Sequence, residues 1–138
     1  DYNWKVEIQH HLSSFLPLDS GIKELEQNQI EIIVSTPERA IMECLYLAPQ
    51  KMDLVECYHL FEGLVNLKPK LLKELLSSCN SVKVKRLFLY MAEKANHQWF
   101  QFLESEQFDL GKGNRMLAEK GVYIPKYLLS IPKELSEL

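Results

Sequence analysis

The chain has 138 residues, of which 46% are hydrophobic and 25% are charged, a size and composition typical of one globular domain. These values exclude a disordered or collagen-like chain, and no apolar run reaches the roughly 18 residues that a membrane-spanning helix needs. The cysteines, Cys44, Cys57 and Cys79, show no CxxC spacing, so we expect reduced, mostly buried thiols in a cytoplasmic protein.

The net charge of −3 hides an uneven distribution of charged residues along the chain. Residues 1–67 contain 4 basic and 11 acidic side chains, residues 68–94 contain 7 and 2, and residues 95–138 contain 5 and 6. The middle of an acidic chain is therefore basic, which predicts a local surface of positive potential.

The N-terminal third shows the alternation of apolar and polar residues that is typical of strands. This alternation predicts a half-buried strand over Trp4–Leu12. Residues 14–21 interrupt the pattern, and residues 22–35 predict two short strands that form a hairpin around Gln27 and Asn28.

The run "STPERAIMECLYLAP", residues 35–49, predicts the first helix. Thr36 can be the N-cap with Pro37 at the first helical position, or Ser35 can be the cap of a capping box that Glu38 completes. We expect a structural role for Arg39, as the i+4 partner of Glu43 or as a donor to buried carbonyls.

Three further helices follow, each with an apolar stripe at helical spacing. Asp53 is the expected cap of the second helix, and Pro69 lies in the first turn of the third. The expected inward residues of the second helix are Leu54, Cys57, Tyr58, Phe61 and Val65. Those of the third are Leu72, Leu75, Leu76 and Cys79, and those of the fourth are Val84, Leu87, Phe88, Met91, Ala92 and Ala95.

The C-terminal part predicts a short helical turn over Trp99–Leu103 and then two or three short strands. Their turns are expected at residues 111–114, near Gly121 and at Pro125. Residues 133–138 fit either a frayed helix or a disordered tail. Strands, then four or five helices, then strands predict one α+β domain over residues 1–138.

The polar side of the fourth helix is the first candidate for a binding surface. Its basic and aromatic residues recur at helical spacing opposite the apolar stripe, as expected of a surface that contacts phosphates. A solvated helix face without a function is the alternative. The candidate residues are Lys83, Lys85, Arg86, Tyr90, Lys94 and His97, and Lys68, Lys70 and Lys73 can extend the surface.

The run "GKGNR", residues 111–115, resembles a phosphate-binding loop only weakly. It lacks the GxxxxGK[ST] spacing and precedes strands instead of a helix, so a strand-entry turn is favoured. Lys112 and Arg115 can still add to a basic surface.

Metal and catalytic signatures are weak. His10 and His11 lie on opposite faces of the predicted strand, and Glu93 with His97 is a single pair rather than a metal site. No GxSxG motif or readable Cys–His pair is present. We therefore expect no cofactor, no metal and no enzyme activity.

Several runs, taken in order, resemble a known family: "STPERAIMECLYLAP", "EGL" with "LKPKL", "SVKVKRLFLYMAEKA" and "GKGNR". Over residues 30–132 the chain is similar to the C-terminal domain of AbiEi-type antitoxins, the regulators of type IV abortive-infection toxin–antitoxin systems. The basic positions that match the family pattern are Lys83, Lys85, Arg86, Lys112 and Arg115.

The resemblance implies a cytoplasmic bacterial regulator that represses its own operon and counters a toxin of nucleotidyltransferase fold. It also implies an N-terminal winged helix-turn-helix domain that this chain lacks, which would be the main reader of operator DNA. No family catalytic residue carries over. The hypotheses are therefore a non-enzymatic antitoxin and regulator, a nucleotide- or RNA-processing enzyme that uses Glu93 or His97, and a protein–protein docking domain.

Overall fold

The computed structural model describes residues 15–27 and 30–138. Strands β1 (Ile22–Gln27) and β2 (Ile30–Ser35) form the predicted antiparallel hairpin, with Gln27 opposite Ile30. The predicted strand over Trp4–Leu12 and the turn residue Asn28 lie outside the described residues.

Helix α1 (Pro37–Leu47) begins in the first of the two ways that the sequence left open. Thr36 is the N-cap and accepts a hydrogen bond from the Arg39 amide, while Pro37 occupies the first turn. The capping box does not form, because Ser35 belongs to β2 and donates its hydroxyl to Glu43. The carboxylate of Glu38 instead accepts the backbone N–H of Lys68 at 2.8 Å.

Arg39 is fully buried and holds residues 17–20 against α1. Its Nε pairs with Glu43 at 3.2 Å, and its Nη1 donates to the carbonyls of Pro17 and of Ser20, the latter at 2.6 Å. Gly21 adopts a φ of +68°, and a Cβ there would lie 2.9 Å from the Arg39 Cβ. The predicted structural role of Arg39 is confirmed, and it includes both the ion pair and the buried carbonyls.

Helices α2 (Leu54–Glu62) and α3 (Pro69–Ser78) begin and pack largely as predicted. Asp53 caps α2 by accepting the Glu56 amide, and the apolar stripes of both helices are buried. Val65 is the exception to the predicted stripe, because it lies beyond the end of α2 and is 59% exposed.

Helix α4 (Val82–Ala95) is the central helix of the described fold. It packs against α1, α2 and a 3₁₀ turn at Pro125–Tyr127, and it ends at Asn96 in the left-handed region. The predicted helical turn is a 3₁₀ helix over Gln98–Leu103, with Trp99 and Leu103 buried. The Trp99 indole donates to the Leu64 carbonyl at 2.9 Å and fixes this turn to the loop after α2.

Three short strands follow: β3 (Arg115–Met116), β4 (Val122–Ile124) and β5 (Leu129–Ile131). Their order is β3–β5–β4, with β5 parallel to β3 and antiparallel to β4. Residues 133–138 include a short helix, α5 (Lys133–Ser136), whose Leu135 is buried. The predicted α+β arrangement of strands, helices and strands is confirmed.

The cysteines are free, and burial gives Cys57 a predicted effect on alkaline stability. Burial first, and nearby groups including Cys44 and Asp53 second, raise the pKa of the Cys57 thiol from 9.0 to about 12. The neutral thiol therefore stabilises the fold fully below pH 9, and this contribution is lost as the pH rises towards 12.

We accordingly expect the free energy of unfolding to fall between pH 9 and pH 12, and to fall less steeply in Cys57→Ala than in the unmodified chain. Urea unfolding at several pH values measures both slopes. The buried tyrosines titrate in both proteins, so only the difference between the slopes reports on Cys57. Equal slopes would contradict the assignment.

Candidate nucleic-acid interface

Lys83 lies in the first turn of α4 and fastens it to the end of α1. Its Nζ donates to the carbonyls of Tyr46 and Ala48, the former at 2.7 Å, and lies 5.5 Å from the Tyr46 ring centroid. A cation at these terminal carbonyls is favoured by the dipole of α1. Lys83 is therefore half-buried and serves the packing of two helices.

Arg86 and Lys85 fasten the next turn of α4 to the C-terminal segment. Arg86 is 1% exposed, and its Nε and Nη1 donate to the carbonyls of Leu110 at 2.9 Å and Leu128 at 3.1 Å. Lys85 reaches the Asp109 carbonyl at 3.3 Å. These bonds join α4 to residues that follow it by 24 to 42 positions in the chain.

The other residues of the predicted stripe are also enclosed by neighbouring segments. Tyr90 is buried edge-on against Tyr127, and Lys94 donates to the Ser136 carbonyl at 3.2 Å. His97 is buried on the Trp99 ring and bonds through Nε2 to the Phe61 carbonyl at 2.8 Å.

The prediction that this stripe is a solvent-facing side of the helix is therefore wrong. The helical periodicity is correct, but other segments cover the side of α4 that was expected to face water. These segments are the end of α1, residues 109–110, the turn at residues 125–128, and α5. The long basic side chains lie along apolar surface and donate to backbone carbonyls that need donors. Whether any of these residues also contacts a partner stays a prediction.

The basic residues in the loop before β3 and at the start of β3 have the exposure that a binding surface needs. Lys112 and Arg115 are both exposed, and Arg115 lines two adjoining grooves. One groove, of about 450 Å³, lies between β3, the N-terminus of α4 and the turn after α1, where Lys51 lies. The other, of about 420 Å³, lies between residues 111–116 and the first turns of α4. We call the two together the basic groove.

The positive charges at the basic groove are not neutralised by carboxylates. Among the described residues, none of its basic side chains has a carboxylate oxygen within 4.0 Å of its charged nitrogens. The pKa of Lys83 and that of Arg86 are both lowered, by burial first and by the charge of Arg115 second. Arg115 is thus close enough to disfavour the charged forms of both Lys83 and Arg86, and an anion bound there would relieve this repulsion.

The lysines of α3 do not join the basic groove. Lys73 pairs with Glu104 at 3.4 Å, and the backbone N–H of Lys68 bonds to Glu38. Lys68 and Lys23 line a separate depression beside the start of α1, and Lys70 is exposed outside the groove. The structure therefore brings together Lys83, Arg86, Lys112 and Arg115 of the predicted set.

Sequence reasoning missed Lys51 and the N-terminus of α4 as parts of this surface. Ser81 caps α4 by accepting the Val84 amide at 3.2 Å, and the first turn contains no acidic residue. The sequence already shows that the first turn of α4 has no carboxylate, which leaves the positive end of the helix dipole without a neutralising charge in that turn. The approach of Lys51 to it was not, because that approach depends on how the turn after α1 packs.

Glu93 and His97, the residues proposed for catalysis, form hydrogen bonds that link separate segments of the fold. Glu93 accepts hydrogen bonds from Lys126 Nζ and Tyr127 Oη, both at 2.7 Å. Burial alone would raise the pKa of Glu93, but these two bonds outweigh it and lower the pKa. Within residues 15–27 and 30–138, no group of three or more His, Cys, Asp or Glu side chains is placed to hold a metal ion.

Comparison with known families decides the relationship of the chain. The sequence model of a family described as transcriptional regulator, AbiEi antitoxin, type IV toxin–antitoxin system matches residues 1–132. The chain belongs to the AbiEi antitoxin family. No curated protein and no solved structure shows significant similarity to it.

The match confirms the resemblance and extends it, since residues 1–29 are included as well as the range that carried the motifs. The AbiEi family is one of antitoxins and transcriptional regulators, not a family of known enzymes. In the part of this AbiEi chain that the structure describes, no helix combines the length and apolar character needed to cross a membrane.

Proposed function

We propose that this AbiEi-family protein uses the basic groove to contact the phosphates of operator DNA and so assists repression of its own operon. The supporting observation is that Lys83, Arg86 and Arg115 line the two adjoining grooves without a neutralising carboxylate among the described residues, beside the exposed Lys112. Such a surface gains affinity for DNA mainly by releasing counterions from the phosphate backbone.

The proposed contacts set affinity and orientation, and they do not select a base sequence. Phosphate contacts position a protein on the duplex, whereas base edges carry the sequence information. We assign sequence reading to a winged helix-turn-helix domain N-terminal to this one, as the family resemblance implies. The groove then adds binding energy to a complex whose register another domain determines.

The antitoxin function is proposed to be non-catalytic and cytoplasmic. We propose that the protein counters a nucleotidyltransferase-like toxin, because the family is one of type IV antitoxins and Glu93 and His97 are occupied by structural hydrogen bonds. Since antitoxin function and DNA contact can use different surfaces, each needs its own experiment.

The DNA contact is tested by fluorescence anisotropy with the 138-residue chain. One duplex comes from the region upstream of its own gene, and the other is an unrelated duplex of equal length. We expect both to bind, with affinity that falls steeply between about 50 and 200 mM salt, since counterion release dominates. No binding to either duplex at about 50 mM salt would contradict the proposed DNA contact.

The antitoxin function is tested by co-expressing the chain with the nucleotidyltransferase-like toxin encoded beside its gene. We expect the chain to restore growth, and a size-exclusion run of the mixed proteins then reports whether the two associate. Growth arrest that persists at full expression of the chain would contradict the proposal that this domain carries the antitoxin function.

A further inference from the structure

The loop at residues 111–115 lies directly over Arg86. Gly111 and Gly113 adopt φ values of +74° and +82°, in the left-handed region that favours glycine. A Cβ on Gly111 would lie 3.4 Å from Val82 Cγ2 and 3.7 Å from Arg86 Nη2. The loop backbone therefore approaches the guanidinium closely, in a conformation that the glycines permit.

Arg86 keeps an unused donor at this place. Its Nε and Nη1 are taken by the carbonyls of Leu110 and Leu128, while Nη2 has no hydrogen-bond partner among the described residues. The residue is 1% exposed and lines the groove of about 420 Å³ under the loop. Nη2 is therefore the guanidinium nitrogen that is left to donate into the groove, where an acceptor can bond to it.

The loop backbone supplies further free donors. The amide of Gly111 is bonded to Asp109 Oδ1 at 2.9 Å, but the amides of Lys112, Gly113 and Asn114 have no partner within the described residues. Successive backbone amides in a turn that includes left-handed residues form a concave site for anions. The exposed side chains of Lys112 and Arg115 flank the same groove.

We propose that Arg86 and the loop at residues 111–115 form a binding site for a single phosphate group. Arg86 Nη2 and the three free amides donate to its oxygens, and Lys112 and Arg115 supply charge from the rim. If the proposed DNA contact holds, the group is a backbone phosphodiester. The same donors also fit the phosphate monoester of a free nucleotide.

This site differs from the phosphate loops of nucleotide-binding folds. Its loop precedes strand β3 instead of opening a helix. The charge beneath the loop comes from an arginine of another element, α4, which the GKGNR sequence alone does not reveal.

The experiment is a titration of the ¹⁵N-labelled chain with inorganic phosphate, with sodium chloride adjusted to hold the ionic strength constant. We expect saturable shifts of the Lys112, Gly113 and Asn114 amides and of the Arg86 Nε–H. Shifts no larger than those caused by chloride alone would overturn the site, even if DNA still binds elsewhere in the basic groove.

Two variants test the two kinds of donor, the guanidinium group of Arg86 and the backbone amides of the loop. Arg86→Lys keeps the charge but loses the guanidinium fork, and Gly113→Val perturbs the loop backbone where a Cβ would meet nothing within 4 Å. Each should weaken phosphate binding by about tenfold or more, and Lys23→Glu should not. If Arg86→Lys fails to fold, Gly113→Val carries the test alone. Unchanged binding in Gly113→Val would contradict the use of the loop amides.

Two further ligands identify the source of the phosphate. If duplex DNA shifts the same amides as inorganic phosphate, the group is a phosphodiester. If adenosine monophosphate shifts them and duplex DNA does not, the site takes a free monoester. In that outcome the phosphate site stands while the DNA contact proposed for it fails.

Discussion

Arg39→Ala is expected to lower the free energy of unfolding by about 3–5 kcal/mol, the usual cost of removing one partner from a buried ion pair. Arg39 is 0% exposed. Its side chain forms an ion pair with Glu43 and donates hydrogen bonds to the carbonyls of Pro17 and Ser20. After the substitution, Glu43 retains the Ser35 hydroxyl, and both carbonyls lose this donor. Because domains of this size are stable by only about 5–15 kcal/mol, such a loss is a large fraction of the total free energy of unfolding.

Urea unfolding of three variants measures this effect. Arg39→Lys should be intermediate, since an ammonium group cannot reproduce the planar fork of donors. Lys133→Ala removes another i+4 pair, one whose side chains are 73% and 64% exposed, and should change stability by less than about 0.5 kcal/mol. A similarly small loss in Arg39→Ala would show that the buried bonds do not hold residues 17–20 to α1.

The second large effect is expected from reversing the two exposed charges of the loop. Lys112→Glu with Arg115→Glu should weaken DNA binding by roughly a hundredfold at moderate salt. Coulomb's law gives about 1 kcal/mol for each unit of charge about 4 Å from a phosphate in water, and salt reduces this value. Fluorescence anisotropy with the same duplex measures the loss, and a promoter fusion in cells measures the matching loss of repression.

The control double variant is Lys23→Glu with Lys133→Glu, which changes the net charge by the same amount at exposed positions outside the basic groove. It should retain most of the binding. Equal losses in the two double variants would mean that overall charge governs binding, and the groove would have no special part. Thermal unfolding of both checks that the fold is intact.

The starts of α1, α2 and α4 were predictable from the sequence because side-chain capping is local. Thr36, Asp53 and Ser81 each accept an amide from a residue three positions later, and such spacing is visible in the sequence. Which of Thr36 and Ser35 is the N-cap of α1 was not predictable, because it depends on the hydrogen-bond partner of the Ser35 hydroxyl. That partner is Glu43, on the second turn of α1.

The environment of α4 was not predictable from its periodicity. A helical pattern shows which residues share a face, but it does not show whether a second segment covers the polar face. Arg86 is enclosed by Leu110 and Leu128, which are distant in the chain, so its burial depends on tertiary packing. The glycines and basic residues of GKGNR are apparent in the sequence. The position of this loop over Arg86 depends on tertiary packing and could not be predicted from the motif.

The central claim is that DNA phosphates are contacted by the exposed loop residues of the basic groove. The most direct test measures the binding constant for one duplex at several salt concentrations, with the unmodified chain and with Lys112→Glu/Arg115→Glu. The slope of log K against log [salt] is negative, and each lost phosphate contact reduces its magnitude by about 0.9, so the magnitude should fall by about 2 in the double variant. An unchanged slope in the double variant would contradict the claim.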